Sequence, residues 1–224
     1  MEGSGSTLMH LRCKAILFDL DGVLVDSRGC VELVWRAWAF ARRLDADSIL
    51  RVAHGRRTRE TVAEIAPHLD LAAEVAILDQ MEERETRGEE PIPGVAALVA
   101  SLPVGRWAVV TSGGPAIAAR RLQIAGIPRP AVMITALDVR HGKPHPEGFL
   151  AAAAQLGIVA SDCVVVEDAP AGVAAALAAG MKVIAVLTTH TSDRLQEANA
   201  IVPTAGNLVV RSTTDGWLEV DGTG

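Results

Sequence analysis

The sequence predicts an α/β protein with a doubly wound (Rossmann-like) parallel sheet and an inserted all-helical domain. Short runs rich in Val and Ile recur along the chain. All but the second of them lack alternation of apolar and polar residues, as expected for strands covered on both faces. These runs span residues 14–18, 107–110, 132–135, 163–166 and 182–187. Helical patterns lie between them, and the alternation of strands with helices is typical of parallel α/β sheets.

The predicted helices end where the chain offers the expected punctuation. Helical spacing is found over residues 116–125, 147–156 and 170–179. A glycine follows each of them, at Gly126, Gly157 and Gly180. Glycine just past the last helical residue favours helix termination, which supports these three boundaries.

The segment from Gly29 to about Ile92 lacks a convincing strand. Amphipathic spacing over residues 31–44, 58–66 and 71–87 predicts three helices there. We therefore expect a flexible lead over residues 1–10, an α/β core over residues 11–28 and 94–224, and a helical insert over residues 29–93. The last residues, 221–224, are expected to fray.

Composition excludes several classes of protein. The chain has 224 residues, enough for a sizeable core, and a formal net charge of −6 with 3 % aromatic residues and no Tyr. Nucleic-acid binding is not expected, because it needs clustered cations or stacking aromatics. No segment predicts a membrane span, and residues 1–10 lack the apolar run of a signal peptide. Three separated cysteines (Cys13, Cys30, Cys163) indicate reduced thiols and a cytoplasmic protein.

The first motif with chemical meaning (FDLDGVLVDS, residues 18–27) follows the first predicted strand directly. Residues two apart on an extended chain face the same side, so Asp19 and Asp21 converge at the carboxyl end of that strand. Gly22 lets the chain turn away with a positive φ. Two carboxylates this close repel unless a proton or a hard cation such as Mg²⁺ lies between them. The alternative is a turn whose Asp side chains cap backbone amides.

The second motif (VVTSGG, residues 109–114) ends another strand and opens a helix. The Thr111 hydroxyl and the backbone amides of Ser112 and Gly113 favour binding of a phosphoryl oxygen. The alternative is a helix N-cap formed by Thr111 or Ser112.

The third motif (GKPHPE, residues 142–147) holds Lys143 between Gly142 and Pro144 on a rigid approach to a helix. Lysine supplies a point charge for a phosphate group. The alternative is a solvated lysine before the helix.

The fourth motif (VVVEDAPAG, residues 164–172) places Glu167 and Asp168 at the carboxyl end of a buried strand. Asp168 has an alternative role as the N-cap of the next helix, whereas Glu167 has no such role at a strand terminus. Together with Asp19 these carboxylates complete an oxygen-ligand set suited to Mg²⁺. The four motifs thus supply a carboxylate nucleophile, a second carboxylate, a metal site and a cation, as covalent phosphoryl transfer requires.

With these four motifs the chain resembles the haloacid-dehalogenase-like hydrolase superfamily, and within it the sugar-phosphate phosphatases and the β-phosphoglucomutase-like group. The match covers about residues 11–28 and 94–205. The resemblance implies that Asp19 is the nucleophile that forms an aspartyl-phosphate, and that Asp21 protonates the leaving alcohol and then deprotonates the attacking water. It also implies that the helical insert is a mobile cap that closes over the substrate.

The resemblance extends to ligand assignments. It implies that Mg²⁺ is bound by Asp19, the Asp21 backbone carbonyl, Asp168 and Glu167. It implies that the phosphoryl oxygens are held by Thr111, the Ser112 backbone and Lys143. A monomer is common in this group, so we expect a monomer that acts on a small phosphorylated sugar or polyol.

The cap carries a weaker resemblance, to phosphatases of the 2-deoxyglucose-6-phosphate type, over residues 31–38 and 53–58. His54, Gly55, Arg56 and Arg57 form a basic stretch between two predicted helices, where they are candidates for binding the substrate's hydroxyl or phosphate groups. The alternative is a solvated basic turn. Trp35 and Trp38, three residues apart, are expected in the hydrophobic core of the insert.

Three other functions are less consistent with the sequence. A sugar phosphomutase of the β-phosphoglucomutase type has a His and an Arg where this chain has Val31 and Thr58, which counts against it. A sensor or scaffold without activity is an alternative because a fold alone does not give a function, but every motif acid is present. A dehalogenase does not need the acid/base carboxylate that Asp21 supplies. The sequence therefore favours a Mg²⁺-dependent phosphatase.

Overall fold

A computed structural model of the protein describes residues 8–223. Its strands are β1 (Leu8–Cys13), β2 (Ala15–Phe18), β3 (Val25–Asp26), β4 (Glu90–Pro91), β5 (Trp107–Val110), β6 (Met133–Ile134), β7 (Cys163–Glu167), β8 (Lys182–Val186), β9 (Ala200–Val202), β10 (Leu208–Ser212) and β11 (Leu218–Thr223). Its α-helices are α1 (Arg28–Arg42), α2 (Ala46–Ala53), α3 (Thr58–Ile65), α4 (Leu71–Arg84), α5 (Val95–Ala100), α6 (Pro115–Ile124), α7 (Glu147–Leu156) and α8 (Pro170–Ala178).

The central sheet is parallel and has six strands in the order β6-β5-β2-β7-β8-β9. The first strand of this sheet in the chain, β2, lies between β5 and β7, so the direction of winding reverses beside it. Ligands of open α/β sheets bind at such a reversal, outside the carboxyl ends of the strands. The predicted α/β fold class is confirmed.

Both faces of the sheet are covered, which explains why its strands lack polar alternation. Along β2, Ile16 and Phe18 pack on one side with α5, α6 and the small sheet formed by β1, β11 and β10. Ala15 and Leu17 pack on the opposite side with α7 and α8. All four side chains are fully buried, and the sheet therefore holds the residue after β2 on a rigid base.

Helices α1–α4 surround a separate hydrophobic cluster. Trp35 and Trp38 lie in it with their ring centroids 5.5 Å apart, edge to face, and both are buried as expected. The Trp38 indole donates a hydrogen bond of 2.8 Å to Glu74, so its polar atom is satisfied inside the cluster. The sequence prediction missed α2, and α1 begins at Arg28, three residues earlier than expected.

Two chain crossings join the helical insert to the α/β core. Strand β3 leads into α1 and β4 returns from α4, and they pair antiparallel through Val25 with Pro91 and Asp26 with Glu90. We propose that this short ribbon marks the boundary between a core and a cap, close to the predicted limits of residues 29–93.

The chain ends differ from expectation. Residues 8–10, expected within a flexible lead, instead begin β1, and residues 221–223, expected to fray, end β11. The two strands pair along their length from Leu8 with Thr223 to Cys13 with Leu218, because each satisfies the other's backbone groups. The rest of the expected lead, residues 1–7, and Gly224 lie outside the described residues. Within residues 8–223 no helix combines the length and apolar character needed to cross a membrane.

Candidate active site

Polar side chains from three adjacent strands meet at the carboxyl edge of the sheet. Asp19 follows β2, Thr111 follows β5, and Glu167 ends β7. Since β2 lies between β5 and β7, the order of strands brings these residues together although up to 148 positions separate them in the sequence (19 to 167). The predicted convergence of the motifs is observed.

A buried lysine ties two of the carboxylates together. The Lys143 ammonium lies 2.7 Å from Asp19 Oδ1 and 2.6 Å from Glu167 Oε1, and all three side chains are buried. Burial by itself opposes the charged form, but the two carboxylates raise the pKa of Lys143 above its ordinary value, so its charge is retained. The alternative of a solvated lysine is therefore wrong.

The second oxygen of the Glu167 carboxylate binds the backbone that leads into α8. Glu167 Oε2 accepts hydrogen bonds from the backbone amides of Asp168 (2.8 Å) and Ala169 (2.9 Å) at the start of α8. Asp168 is not the N-cap of this helix; Ala169 occupies that position. A side chain on Gly172 would overlap the Glu167 carboxylate, so α8 approaches it as closely as glycine permits.

Asp168 holds an open donor atom for a metal. Its Oδ2 accepts a hydrogen bond of 2.5 Å from the Thr189 hydroxyl, while its Oδ1 is buried and has no hydrogen-bond partner among the described residues. One ligand atom from each of Asp19, Glu167 and Asp168 lies within 4.8 Å of the others. A buried unpaired oxygen in a cluster of carboxylates fits a hard divalent cation.

The protonation of these acids reflects their burial. Burial raises the pKa of Asp19 to about 7, an effect that Lys143 partly offsets. Burial, with the nearby charge of Glu167, also raises the pKa of Asp168 well above its ordinary value. A cation in the cluster would compete with protons for the same oxygens and favour the ionised carboxylates.

The side chain of the second aspartate of the first motif stands apart from the cluster formed by Asp19, Glu167 and Asp168. Ser27 donates a hydrogen bond of 2.7 Å to Asp21 Oδ1, and the Arg121 guanidinium lies 2.8 Å from the same oxygen. The Thr111 hydroxyl lies 3.5 Å from Asp21 Oδ2. Asp21 is partly exposed to the cavity, so the two aspartates occupy different environments, as an acid and a nucleophile require.

The loop after β5 is shaped by its own polar groups. Thr111 Oγ1 accepts a hydrogen bond of 3.0 Å from the Gly113 amide, and Gly114, without a side-chain cap, is the N-cap of α6. The alternative of Thr111 or Ser112 as the N-cap is therefore wrong. The Ser112 hydroxyl donates to the Gly55 carbonyl at 3.0 Å, which joins this loop to the helical insert.

A cavity lies between the core and the insert, and residues of both units line it. The core contributes Asp19, Asp21, Ser112, Gly113 and Asp168. The insert contributes Val31, Trp35, His54, Gly55, Arg56 and Thr58. Burial, followed by the nearby His190, lowers the pKa of His54, which favours its neutral form.

Arg57 does not border this cavity, in contrast to the sequence prediction. Its guanidinium pairs with Glu60 and donates hydrogen bonds to the carbonyls of Val139 (3.2 Å) and Arg140 (3.0 Å) in the core. Glu60 in turn accepts a hydrogen bond of 2.9 Å from the Gly142 amide, next to Lys143. The pair therefore docks the insert on the loop that carries Lys143, whereas His54 and Arg56 border the cavity.

Four further residues border the cavity and lie outside the recognisable motifs. They are Arg28, Glu82, Arg121 and Thr189. Arg28 directly follows the first motif and binds Asp26, whereas the other three have partners that are distant in the sequence. Arg121 carried one local signal: a charged residue at a helix position that the apolar spacing of α6 turns toward the core.

The sequence was compared with known proteins. Residues 13–180 match the model of the haloacid dehalogenase-like hydrolase family. The chain is 40 % identical over 211 residues to hexitol phosphatase A of Escherichia coli K12, which covers 92 % of this chain and 98 % of that one. It is 30 % identical over 206 residues to 2-deoxyglucose-6-phosphate phosphatase 2 of Saccharomyces cerevisiae, which covers 82 % and 84 % of the two chains.

The fold is shared with solved structures. A hydrolase from Pseudomonas syringae superposes with a TM-score of 0.77 at 24 % identity and covers 85 % of this chain and 94 % of that one. The family model spans three quarters of the sequence and includes all four motifs, the site of Asp19 and the helical insert. The chain belongs to the haloacid dehalogenase-like hydrolase family.

Proposed function

We propose that this protein is a Mg²⁺-dependent phosphatase that hydrolyses small sugar or polyol phosphates through an aspartyl-phosphate. The observation that carries the proposal is the placement of Asp19 and Asp21 on one cavity: Asp19 is held by Lys143 within the carboxylate cluster, and Asp21 is set apart from that cluster. The two carboxylates therefore suit different roles at one phosphoryl group.

In the first half-reaction the Asp19 carboxylate attacks phosphorus. The ester P–O bond breaks, and the leaving alcohol oxygen takes a proton from Asp21. Lys143 and the amides of the loop at Ser112 and Gly113 stabilise charge on the phosphoryl oxygens. The products are the free alcohol and a phosphorylated Asp19.

In the second half-reaction water attacks the phosphorus of the aspartyl-phosphate, and Asp21 takes the water's proton. The bond between Asp19 and phosphorus breaks, which releases inorganic phosphate and restores the carboxylate. Asp21 ends the cycle protonated, ready for the next leaving alcohol.

Asp19, Glu167 and Asp168 would hold the Mg²⁺, together with the Asp21 backbone carbonyl. When bound, the ion neutralises the carboxylates and the phosphoryl charge so that the two anionic groups can approach each other. Support comes from the unpaired buried oxygen of Asp168 and from the oxygen-only donor set.

A small polyhydroxylated substrate agrees with the cavity and with the relatives. The cavity is lined by polar side chains that can form hydrogen bonds with hydroxyl groups, including those of Ser27, Arg28, His54 and Arg56. The relatives are named for the phosphates of a hexitol and of a deoxysugar. Val31 and Thr58 border the cavity at the two positions where a phosphomutase has His and Arg, so hydrolysis is the reaction proposed.

The decisive experiment measures phosphate release from a panel of hexitol, glycerol, hexose and pentose phosphates, nucleotides and phosphoglycolate, with Mg²⁺ and with chelator. We expect Mg²⁺-dependent release concentrated on the sugar and polyol phosphates. The Asp19→Asn variant is expected to be folded and inactive, and acid-stable labelling of the wild type at Asp19 is expected during turnover. An active Asp19→Asn protein would exclude the covalent route.

We also propose that the protein works as a cytoplasmic monomer without nucleic-acid or membrane partners. Its three cysteines are buried and unpaired within residues 8–223, which agrees with a reducing compartment. Size-exclusion chromatography with light scattering tests the proposed monomer against a dimer.

A further inference from the structure

Arg121 lies on α6 at the border of the cavity, and its side chain is buried. Its guanidinium contacts three carboxylates in three directions. Nη1 lies 2.8 Å from Asp21 Oδ1, Nη2 lies 2.8 Å from Glu82 Oε1, and Nε lies 2.9 Å from Glu89 Oε1. Arginine suits such a place because its donors are fixed in a planar fork.

The contact with Asp21 decides which of its oxygens faces the substrate. Oδ1 is shared by Arg121 and the Ser27 hydroxyl, both within hydrogen-bond distance. Among the described residues, the only hydrogen-bond partner of Oδ2 is the Thr111 hydroxyl, which lies 3.5 Å away. Arg121 therefore turns the side chain so that Oδ2 is the oxygen available to give and take a proton.

The other two contacts connect Asp21 to the helical insert. Glu82 lies on α4 of the insert, and Glu89 lies on the segment that leads from α4 back to the core through β4. A shift of α4 relative to α6 would move Glu82 and change which carboxylates bind the Arg121 guanidinium. The placement of Asp21 is thereby linked to the position of the insert.

The adjacent Arg120 provides a comparison within the same helix. It also binds Glu89, with Nη2 2.7 Å from Oε1, and it donates to the backbone carbonyls of Glu82 (3.1 Å) and Glu83 (2.7 Å). It shares the contacts with the insert but its contacts do not include Asp21. Both arginines anchor the insert, but only Arg121 contacts Asp21. A comparison of substitutions at the two positions therefore distinguishes anchoring of the insert from positioning of the acid.

We propose that Arg121 is a positioning residue for Asp21, and that it couples the orientation of this acid/base to the position of the insert through Glu82. The proposal rests on the proposed phosphatase function. It assigns to a residue outside the four motifs a role in proton transfer, without contact with the phosphoryl group.

The test compares Arg121→Lys with Arg120→Lys on two substrates. Lysine keeps one positive charge, which limits the risk of misfolding. It cannot contact three carboxylates at once, so the positioning of Asp21 should be lost. A hexitol phosphate needs protonation of its leaving alcohol, whereas p-nitrophenyl phosphate releases a weakly basic anion without it. Rapid-quench measurement of the first turnover separates formation of the phosphoenzyme from its hydrolysis.

For Arg121→Lys we expect formation of the phosphoenzyme from hexitol phosphate to slow by about 10²-fold, the low end of what a positioned acid contributes. Its formation from p-nitrophenyl phosphate should stay within about threefold of wild type, followed by slow steady-state turnover, because water attack still needs Asp21 as the base. Arg120→Lys should change neither substrate by more than about threefold.

Glu82→Gln tests the link to the insert and does not depend on folding of the Arg121 variant. It should slow the hexitol phosphate reaction more than the p-nitrophenyl phosphate burst, and it should add little to Arg121→Lys in the double variant, because both act through one contact. Equal loss on both substrates, unchanged rates in Arg121→Lys, or additive effects of the two substitutions would overturn the proposal. If the wild-type protein releases phosphate from neither substrate, that result would instead reject the phosphatase function itself.

Discussion

Lys143 and Asp19 form a buried ion pair at the carboxyl end of β2, with Nζ 2.7 Å from Oδ1. The same ammonium lies 2.6 Å from Glu167, so one positive charge lies between two buried carboxylates. Lysine is therefore part of the charge balance of the core before any substrate arrives, in addition to its proposed role toward the phosphoryl group.

Substitution Lys143→Met keeps the length of the side chain and removes its charge. We expect it to abolish turnover and to lower the free energy of unfolding of the metal-free protein by about 3–5 kcal/mol, because two buried carboxylates lose their partner. Urea denaturation with chelator and with Mg²⁺ measures both the loss and its partial recovery when the ion is added. Lys182→Met, at an exposed position, should stay within about 0.5 kcal/mol of wild type. A Lys143→Met protein as stable as Lys182→Met would contradict this account.

The stability of the metal-free protein should depend on pH through Asp19. Its pKa is raised from 3.8 to about 7, so between these values the folded protein holds a proton that the unfolded chain has released. Stability from this group is therefore complete below about pH 4 and is lost as the pH rises through about 7. Mg²⁺ replaces the proton, so the increase in Tm that it causes should grow from about pH 5 to about pH 8. Thermal denaturation with Mg²⁺ and with chelator measures this difference, and an increase that is constant across the range would be evidence against it.

Thr189 orients the Asp168 carboxylate through a hydrogen bond of 2.5 Å to Oδ2. We expect Thr189→Val to weaken Mg²⁺ binding by about 10- to 100-fold, because the partner that holds a ligand in place is lost while the ligand remains. Titration calorimetry gives the affinity directly. Thr189→Ser keeps the hydroxyl and should bind Mg²⁺ nearly as wild type does; equal weakening in both variants would contradict a specific role for the hydroxyl.

Gly172 leaves room for the Glu167 carboxylate at the first turn of α8. We expect Gly172→Ala to lower the free energy of unfolding by about 1–3 kcal/mol, since an added methyl group would overlap that carboxylate and force it away from Lys143. Gly114→Ala is the matched control, because a Cβ there meets no atom within 4 Å and its φ is −74°. Denaturation midpoints of the two variants test the difference, which disappears if α8 can shift at no cost.

The parts of the fold that the sequence predicts are those with a local pattern. The β2 and β7 runs are apolar throughout and end in acids, so both their burial and the position of Asp19 and Glu167 follow from nearby residues. The common location of the motifs that follow β2, β5 and β7 is explained by one rule, that parallel strands present their carboxyl ends at the same edge, whereas Lys143 reaches them from the loop between β6 and α7.

The parts that escape prediction depend on distant partners. Helix α2 has only eight residues, with Asp45 as its cap, so its apolar face extends over little more than two turns. Strands β1 and β11 stabilise each other from opposite ends of the chain, and neither has a strong pattern of its own. Arg57 and Arg121 illustrate the same limit for the site, because the carbonyls and carboxylates that orient them lie in other elements.

The β3–β4 ribbon has a consequence for how such a protein can diversify. The chain leaves and re-enters the α/β unit at neighbouring positions, with Asp26 opposite Glu90, so the covalent connections of the segment between them lie side by side. Modules joined in this way can be exchanged, lengthened or removed by recombination with little effect on the sheet, because its hydrogen bonds do not cross the junction. A graft of a different helical module between these two residues would present the carboxylates of the sheet edge to molecules of another size, provided that the new module also supplies acidic partners for Arg121.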